Sequence, residues 1–108
     1  MTEAIYDRNK LCFKVGDIPF PTQIEVVDRN QSPVDLSTAT ARFIVKSLTG
    51  ELINKAAVIS SNTVSYTWVE GETHTAGRYY GSFEITFAAG IRITVPQKGY
   101  IEIDIESL

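Results

Sequence analysis

Alternation of apolar and polar side chains is the feature of this sequence that most constrains its fold. Across residues 79–87, Phe83, Ile85 and Phe87 share one face of an extended chain, and Glu84 lies on the other. This period of two residues is typical of a β-strand with one buried face. Shorter or weaker versions of the same alternation predict further strands, at residues 11–15, 23–26, 41–46, 52–59, 64–68, 91–95 and 101–105.

The spacing of these segments favours two packed sheets. About ten residues separate one predicted strand from the next, and the apolar faces need a second sheet to cover them. No window shows the three-and-four spacing of an amphipathic helix, so we expect at most one helical turn, at residues 36–39. The sequence therefore predicts an all-β sandwich of about seven to eight mainly antiparallel strands. Its predicted core consists of Phe43, Val45, Tyr66, Trp68, Phe83, Ile85, Ile93 and Ile103.

The residues Ala88, Ala89 and Gly90 predict a three-residue hairpin loop. Such a loop ends on a left-handed residue, and glycine adopts that conformation at the least cost. If Phe87 pairs with Ile91, each apolar residue of one strand meets an apolar residue of the other. The predicted register pairs Ile85 with Ile93, Phe83 with Val95, Thr86 with Arg92 and Glu84 with Thr94.

Length and charge narrow the class of protein. The chain has 108 residues, a formal net charge of -3 and one cysteine. This length predicts one domain over residues 1–108, in which residues 1–16 form an N-terminal arm and the first strand. The acidic balance disfavours nucleic acid and anionic membranes as partners, because both select basic surfaces. We also expect no membrane helix and no signal peptide, since no apolar run is long enough and residues 1–10 carry acids.

The side chains suited to catalysis or metal binding are few. His74 is the only histidine and lies in a polar stretch that is typical of a solvated turn. No nucleophile motif accompanies it, and cysteine and histidine are too few for a zinc site. Cys12 stands between Leu11 and Phe13 and is predicted to lie in or near the core. We therefore predict that the protein is not an enzyme and has no catalytic residue, no cofactor and no metal ion.

Two groups of carboxylates leave alternatives open. Glu102, Asp104 and Glu106 share one face of a predicted strand, which is more typical of a solvent-facing surface than of an acid-base pair. Residues 28–39 begin like a calcium loop but lack the glycine and glutamate that such a loop requires. A weaker oxygen-ligand site at Asp35 is the alternative to ordinary turn-forming hydrogen bonds.

Apolar side chains that fall outside the core phase are candidates for an interface. Val27, Ile44 and Leu48 are such residues, and Tyr80 lies on the outward face of its strand. Scattered exposed apolar residues are common, so an interface requires that they cluster. We predict these four residues as the candidate interface of a homo-oligomer. Tyr79, at a strand entry, either packs in the core or ties a loop to the backbone through its hydroxyl.

The order and spacing of several segments resemble the N-terminal domain of phage baseplate upper proteins. These segments are residues 33–39, 43–46, 64–68, 75–80, 83–87 and 100–103. The resemblance runs from Asp17 to the last residue and rests on turn glycines and core aromatic residues. Ala89 departs from it, because the family pattern has an acidic residue before the hairpin glycine.

That resemblance implies an immunoglobulin-like β-sandwich acting as a non-catalytic structural or adaptor protein of a phage or prophage virion, in its tail or baseplate. Its implied partners are other virion proteins in a homo-oligomeric assembly, with no nucleic acid and no membrane. The expected location is the virion, after synthesis in the host bacterial cytoplasm. The alternative is a carbohydrate-binding β-sandwich module for host-surface attachment, with a glycan on an exposed ring such as that of Tyr80.

Overall fold

The computed structural model describes residues 10–108, which fold into eight strands. In chain order these are β1 (Lys10–Lys14), β2 (Thr22–Glu25), β3 (Thr40–Ser47), β4 (Gly50–Ser60), β5 (Thr63–Tyr66), β6 (Gly77–Thr86), β7 (Arg92–Val95) and β8 (Ile101–Glu106). The strand pairs are antiparallel except β1 with β8, which is parallel.

The structure confirms the predicted all-β sandwich class. Of the predicted N-terminal arm and first strand, residues 1–16, the part at residues 1–9 lies outside the described residues. No helix within residues 10–108 is long and apolar enough to cross a membrane.

The strands form one curled sheet that presents two layers. β3 and β6 lie at the centre of the larger layer, whose order is β1-β8-β6-β3-β4. β7 pairs with the second half of β6, beside the region that pairs with β8. The smaller layer consists of β2, β5 and the end of β4. β4 belongs to both layers, because residues 50–57 pair with β3 and residues 58–60 pair with β5.

The hairpin between β6 and β7 has the predicted loop and register. The amide of Phe87 donates to the carbonyl of Ile91 at 2.8 Å, and Gly90 has a φ of 85°. Ile85 pairs with Ile93, and the other three predicted pairs are also present. A left-handed residue at the loop end matches the twist of the two strands, which explains why local residues determine this register.

Aromatic side chains form the centre of the core. The ring of Phe43 lies 4.8 Å from that of Tyr66 and 4.7 Å from that of Phe83. Trp68 meets Phe43 edge-on, with the ring centroids 5.7 Å apart, and Phe13 meets Trp68 in the same way at 5.4 Å. Offset and edge-to-face contacts are the favoured arrangements of aromatic rings. The predicted core residues are buried, with Ile93 as the exception.

Two of the burial predictions are wrong. Ile93 is only partly buried, because β7 is a short strand at the edge of the sheet. Cys12 is exposed, because Leu11 and Phe13 pack on the core and alternation along β1 turns Cys12 to the opposite face. The predicted helical turn at residues 36–39 is a single turn, in which the amide of Ala39 donates to the carbonyl of Leu36 at 3.0 Å.

Candidate functional site

A groove on the outer face of the larger layer brings together side chains from three strands and two connecting segments. Its volume is about 460 Å³. We call it the outer groove, and it is lined by Ile44, Lys46, Ser47, Leu48, Tyr80, Ser82, Glu84, Thr94 and Tyr100. Along these strands, every second side chain points inward and fills the core. The side chains between them point outward, and these line the outer groove.

The register of β3 and β6 positions the centre of the outer groove. Ile44 lies opposite Ser82, and Lys46 lies opposite Tyr80. Tyr100 comes directly before β8, and its ring meets that of Tyr80 at a centroid distance of 5.8 Å and an interplanar angle of 62°. The outer groove therefore has two tyrosine rings in edge-to-face contact beside an aliphatic side chain.

The outer groove also has an exposed aliphatic side chain at its rim. Leu48 lies in the turn between β3 and β4, and 94% of its surface is accessible to water. Tyr100 is 59% exposed. Each is unfavourable in contact with water, since burying apolar surface releases about 25 cal/mol per Å². This part of the protein thus gains free energy when another apolar group covers it.

Charges of both signs lie at the two ends of the outer groove. Lys46 is near the β3–β4 turn, and Glu84 lies beside Thr94 on β7. Arg42 is the cross-strand neighbour of Glu84, but its guanidinium donates to the side chain and the carbonyl of Asn54, at 2.7 and 2.6 Å. Within residues 10–108, neither Lys46 nor Glu84 forms an ion pair. Both charges are available to a partner.

Three of the four predicted interface residues meet in the outer groove, namely Ile44, Leu48 and Tyr80. Val27 does not join them. It is partly buried, forms an isolated bridge with Pro33 and lines a separate depression of about 560 Å³. The sequence-based prediction did not include Tyr100, which comes one residue before β8. Tyr100 has the same outward phase as Glu102 and Asp104, and this alternation could have identified it.

Glu72 is a buried residue two positions before His74, in the polar stretch that the sequence predicts to be a solvated turn. It is 8% exposed, and it accepts hydrogen bonds from the Tyr66 hydroxyl at 2.5 Å, the Lys55 ammonium at 3.0 Å and the Val69 amide at 2.8 Å. Burial, together with the neighbouring Glu72 carboxylate, raises the pKa of Tyr66. This cluster fixes the connection between β5 and β6 to the core, so its role is structural.

The same connection contains the predicted contact of Tyr79. Its hydroxyl donates to the carbonyl of Thr75 at 2.9 Å, while the ring is buried. Tyr79 therefore both packs in the core and ties the loop, so the two predicted roles coexist. His74 lies in this loop and is exposed.

Two of the three outward carboxylates of β8, Asp104 and Glu106, form ion pairs with cations on β1 and β6. Asp104 accepts a hydrogen bond from Arg78 at 3.0 Å and lies 3.6 Å from the ammonium of Lys10. Glu106 lies 3.3 Å from the ammonium of Lys14. These are cross-strand ion pairs on an outward surface, which fits the solvent-facing interpretation of the alternation there.

Asp28 and Asp35 form turns through their own backbone neighbours. One oxygen of Asp28 accepts from the amides of Asn30 and Ser32, at 2.8 and 3.0 Å. Asp35 accepts from the amide of Ser37 at 2.9 Å, and hydrogen bonding to Ser37 lowers the pKa of Asp35. Across the described part of the chain, no three His, Cys, Asp or Glu side chains are grouped so as to hold a metal ion.

Comparisons with known proteins identify the fold and no family. No protein-family model and no curated protein matches the chain. Among solved structures, CopC from Methylosinus trichosporium OB3b matches with a TM-score of 0.50 and 12% sequence identity, over 88% of this chain and 83% of CopC. At that identity the likeness concerns the fold alone.

The expected role as a structural or adaptor protein of a phage virion is contradicted. A solved structure that matches in fold is CopC, and virion, tail and baseplate roles have no support. The carbohydrate-binding alternative is not better supported. The residues behind the baseplate resemblance are turn glycines and core aromatics, which any sandwich of this kind needs. The chain is similar to CopC in fold, and the resemblance to baseplate proteins stays an interpretation of its sequence.

Proposed function

We propose that this protein is a non-catalytic protein-binding domain and that the outer groove is its binding site. The partner is a protein that inserts an aliphatic side chain between charged groups of both signs. The observation that carries the proposal is the convergence of Ile44, Leu48, Tyr80 and Tyr100 on one concave part of a solvent-facing sheet. Elsewhere this face carries charged residues, such as Arg42 and those of β8.

The composition of the outer groove fits a protein interface. Aromatic residues are enriched at the centre of such interfaces, with polar and charged residues around them. Tyr80 and Tyr100 supply large, partly apolar rings, and Lys46 and Glu84 supply charges at the two ends of the groove. A tyrosine pair loses little side-chain entropy on binding because its rings have few rotatable bonds.

The outer groove supplies a binding surface more readily than a reaction centre. Among the described residues that line it, Glu84 is the sole carboxylate and there is no histidine or cysteine. Nucleophilic catalysis needs an activated nucleophile beside a base that a third group orients. Binding requires only the apolar lining and the flanking charges.

A random-peptide display library tests the proposal. Peptides are selected against the immobilised protein, and their affinities are then measured for Leu48→Asp and Tyr100→Ala. We expect selected peptides to carry an aliphatic residue and to lose about tenfold or more in affinity for both variants, since each change removes apolar contact area at the site.

Val58→Asp is the matched control, because Val58 is a 63% exposed aliphatic residue in β4 that does not line the outer groove. Peptides that bind all three variants as tightly as the wild type would place the binding surface elsewhere. Circular dichroism melts of each variant separate loss of binding from loss of folding.

A further inference from the structure

We infer that the free edge of β7 binds an extended segment of another protein, which joins the sheet as an additional strand. The segment carries an acidic residue beside Arg92 and, next to it in sequence, an aliphatic residue beside Ile93. Strand addition is a general way of recognising an extended peptide, because backbone hydrogen bonds supply affinity and side-chain pockets supply specificity. This second binding surface goes beyond the role proposed for the outer groove.

The backbone groups of β7 point alternately to β6 and to solvent. The amide of Phe87 donates to the carbonyl of Ile91, so these two residues form a hydrogen-bonded pair. Bonded and non-bonded pairs alternate along an antiparallel ladder. Ile93 therefore bonds to β6, whereas the amides and carbonyls of Arg92 and Thr94 point away from it. Within residues 10–108, β7 pairs with no strand besides β6, so these backbone groups lie at an open edge.

The inward side chains at this edge are incompletely covered. Ile91 is 60% exposed and Ile93 is partly buried, although both share the phase of the buried Val95. Between β7 and the segment that follows β2 lies the depression of about 560 Å³ that Val27 lines. We call it the edge depression, and Ile93, Val95 and Val34 line it as well. Opposite residues of adjacent strands point to the same face, so a residue added opposite Ile93 directs its side chain into the edge depression.

The charges at this edge favour an acidic segment. Arg92 is exposed on the outward face of β7, and Arg29 lines the edge depression. Within the described part of the chain, neither guanidinium forms an ion pair. Two acids also line the edge depression, but Asp28 already accepts two backbone amides and Glu25 has its own interaction within the chain. Acidic groups of another chain therefore complement the two guanidiniums.

A second copy of this chain fits the edge less well. Two β7 edges pair about a two-fold axis when Arg92 of each copy lies opposite Thr94 of the other, because these residues carry the free backbone groups. The two Arg92 side chains are then diagonal neighbours on one face, about 7 to 8 Å apart, and repel each other. Short edge strands with charged side chains are a usual protection against such self-pairing. The charges therefore select a different, acidic chain.

Amide hydrogen exchange, measured by NMR on the full chain, tests what covers the edge. In the free protein we expect the amides of Arg92 and Thr94 to have protection factors about tenfold or more below that of Ile93, which bonds to β6. Protection of both amides in dilute protein would mean that the chain covers its own edge. Protection that appears only as the protein is concentrated would mean that a second copy covers it. Either result overturns the inference.

The probe is a short peptide with blocked ends that alternates glutamate and valine. We expect it to raise the protection of the Arg92 and Thr94 amides at least about tenfold, and a lysine–valine peptide of the same length to bind at least about tenfold more weakly. No added protection at about 1 mM probe would overturn the inference.

Methylating backbone nitrogens of the probe removes hydrogen-bond donors without changing its side chains. Methylation of the glutamate nitrogens should abolish binding in an antiparallel complex, and methylation of the valine nitrogens in a parallel one, because only one set faces β7. The other set should be tolerated. Equal effects of the two methylations would overturn the inference, since strand addition distinguishes the two edges of the probe.

Arg92→Glu separates this edge from the outer groove. It should weaken binding of the glutamate–valine probe about tenfold or more at physiological ionic strength. Lys46→Glu makes the same change of charge in the outer groove and should have a much smaller effect, because salt screens charges beyond about 8 Å. An equal or larger effect of Lys46→Glu would place the probe in the outer groove and overturn the inference. The NMR spectra of both variants report whether each remains folded.

Discussion

The indole N–H of Trp68 donates a hydrogen bond to the hydroxyl of Thr22 at 2.9 Å in the interior of the sandwich. Both side chains are buried. Thr22 begins β2, and Trp68 follows β5. The bond therefore satisfies the one polar atom of the largest buried side chain and fixes the smaller layer against the core.

Replacing Thr22 by Val should destabilise the protein by about 1 to 3 kcal/mol, because the shape is kept while the indole N–H loses its acceptor. Urea denaturation measures this change. The same substitution in a Trp68→Phe background should cost clearly less, because no donor is left without a partner there. Equal costs in both backgrounds would show that the hydrogen bond contributes nothing.

Glu72→Gln should also destabilise the protein, by roughly 1 to 3 kcal/mol. An amide can still accept from the Val69 amide, but its NH₂ group then faces the Lys55 ammonium, which can only donate, and the Tyr66 hydroxyl, which must turn from donor to acceptor. Glu70→Gln, an exposed neighbour in the same loop, serves as the control and should stay within about 0.5 kcal/mol of the wild type.

Stability should fall at alkaline pH because of Tyr66. Its pKa is raised in the folded protein above the usual value of about 10, so the unfolded chain releases the proton first as the pH rises. The contribution is complete below about pH 10 and is lost as the pH rises above that value. Chemical melts of the wild type and Tyr66→Phe should therefore converge above about pH 10, and parallel pH profiles would contradict the assignment.

Gly90→Val should destabilise the protein more than Gly90→Asn. Gly90 has a φ of 85°, and a Cβ added there meets no atom within 4 Å, so backbone strain is the whole cost. That strain is about 1 kcal/mol or more, smallest for Asn and largest for a β-branched side chain. Thermal melts measure the order, and equal effects of the two variants would indicate a different backbone conformation.

The parts of the fold that the sequence predicted correctly are those that neighbouring residues determine. The β6–β7 register follows from Gly90 and from the alternation on each side of it, so no distant contact was needed. The apolar neighbours of Cys12 predict burial, but the alternation of β1 turns every second side chain outward and leaves Cys12 exposed. Ile93 points toward the core, as the alternation predicts. It is partly exposed because β7 lies at an edge of the sheet, and the residues of one strand do not show which strands will pair with it.

The candidate site and the Glu72 cluster needed the three-dimensional arrangement. The alternation pattern alone identifies Ile44, Leu48 and Tyr80 as side chains that point away from the core. Only the pairing of β3 with β6 shows that these three side chains meet in one groove. Val27 lines a different depression. Glu72 looks like any acidic loop residue until Lys55 approaches it from β4. Burial of a charged side chain depends on such distant partners, and an alternation pattern does not contain them.

The parallel pairing of β1 with β8 affects how the chain folds as it is synthesised. Lys14 and Glu106 stand 92 positions apart in sequence, so β1 emerges from the ribosome long before its ladder partner exists. During that interval its backbone groups are unpaired, and Leu11 and Phe13 have no completed core to cover them. An unpaired apolar strand can associate with other nascent chains, and long-range strand pairing is slow. Completion of the sheet therefore waits for the last strand, and aggregation competes with folding until β8 is available.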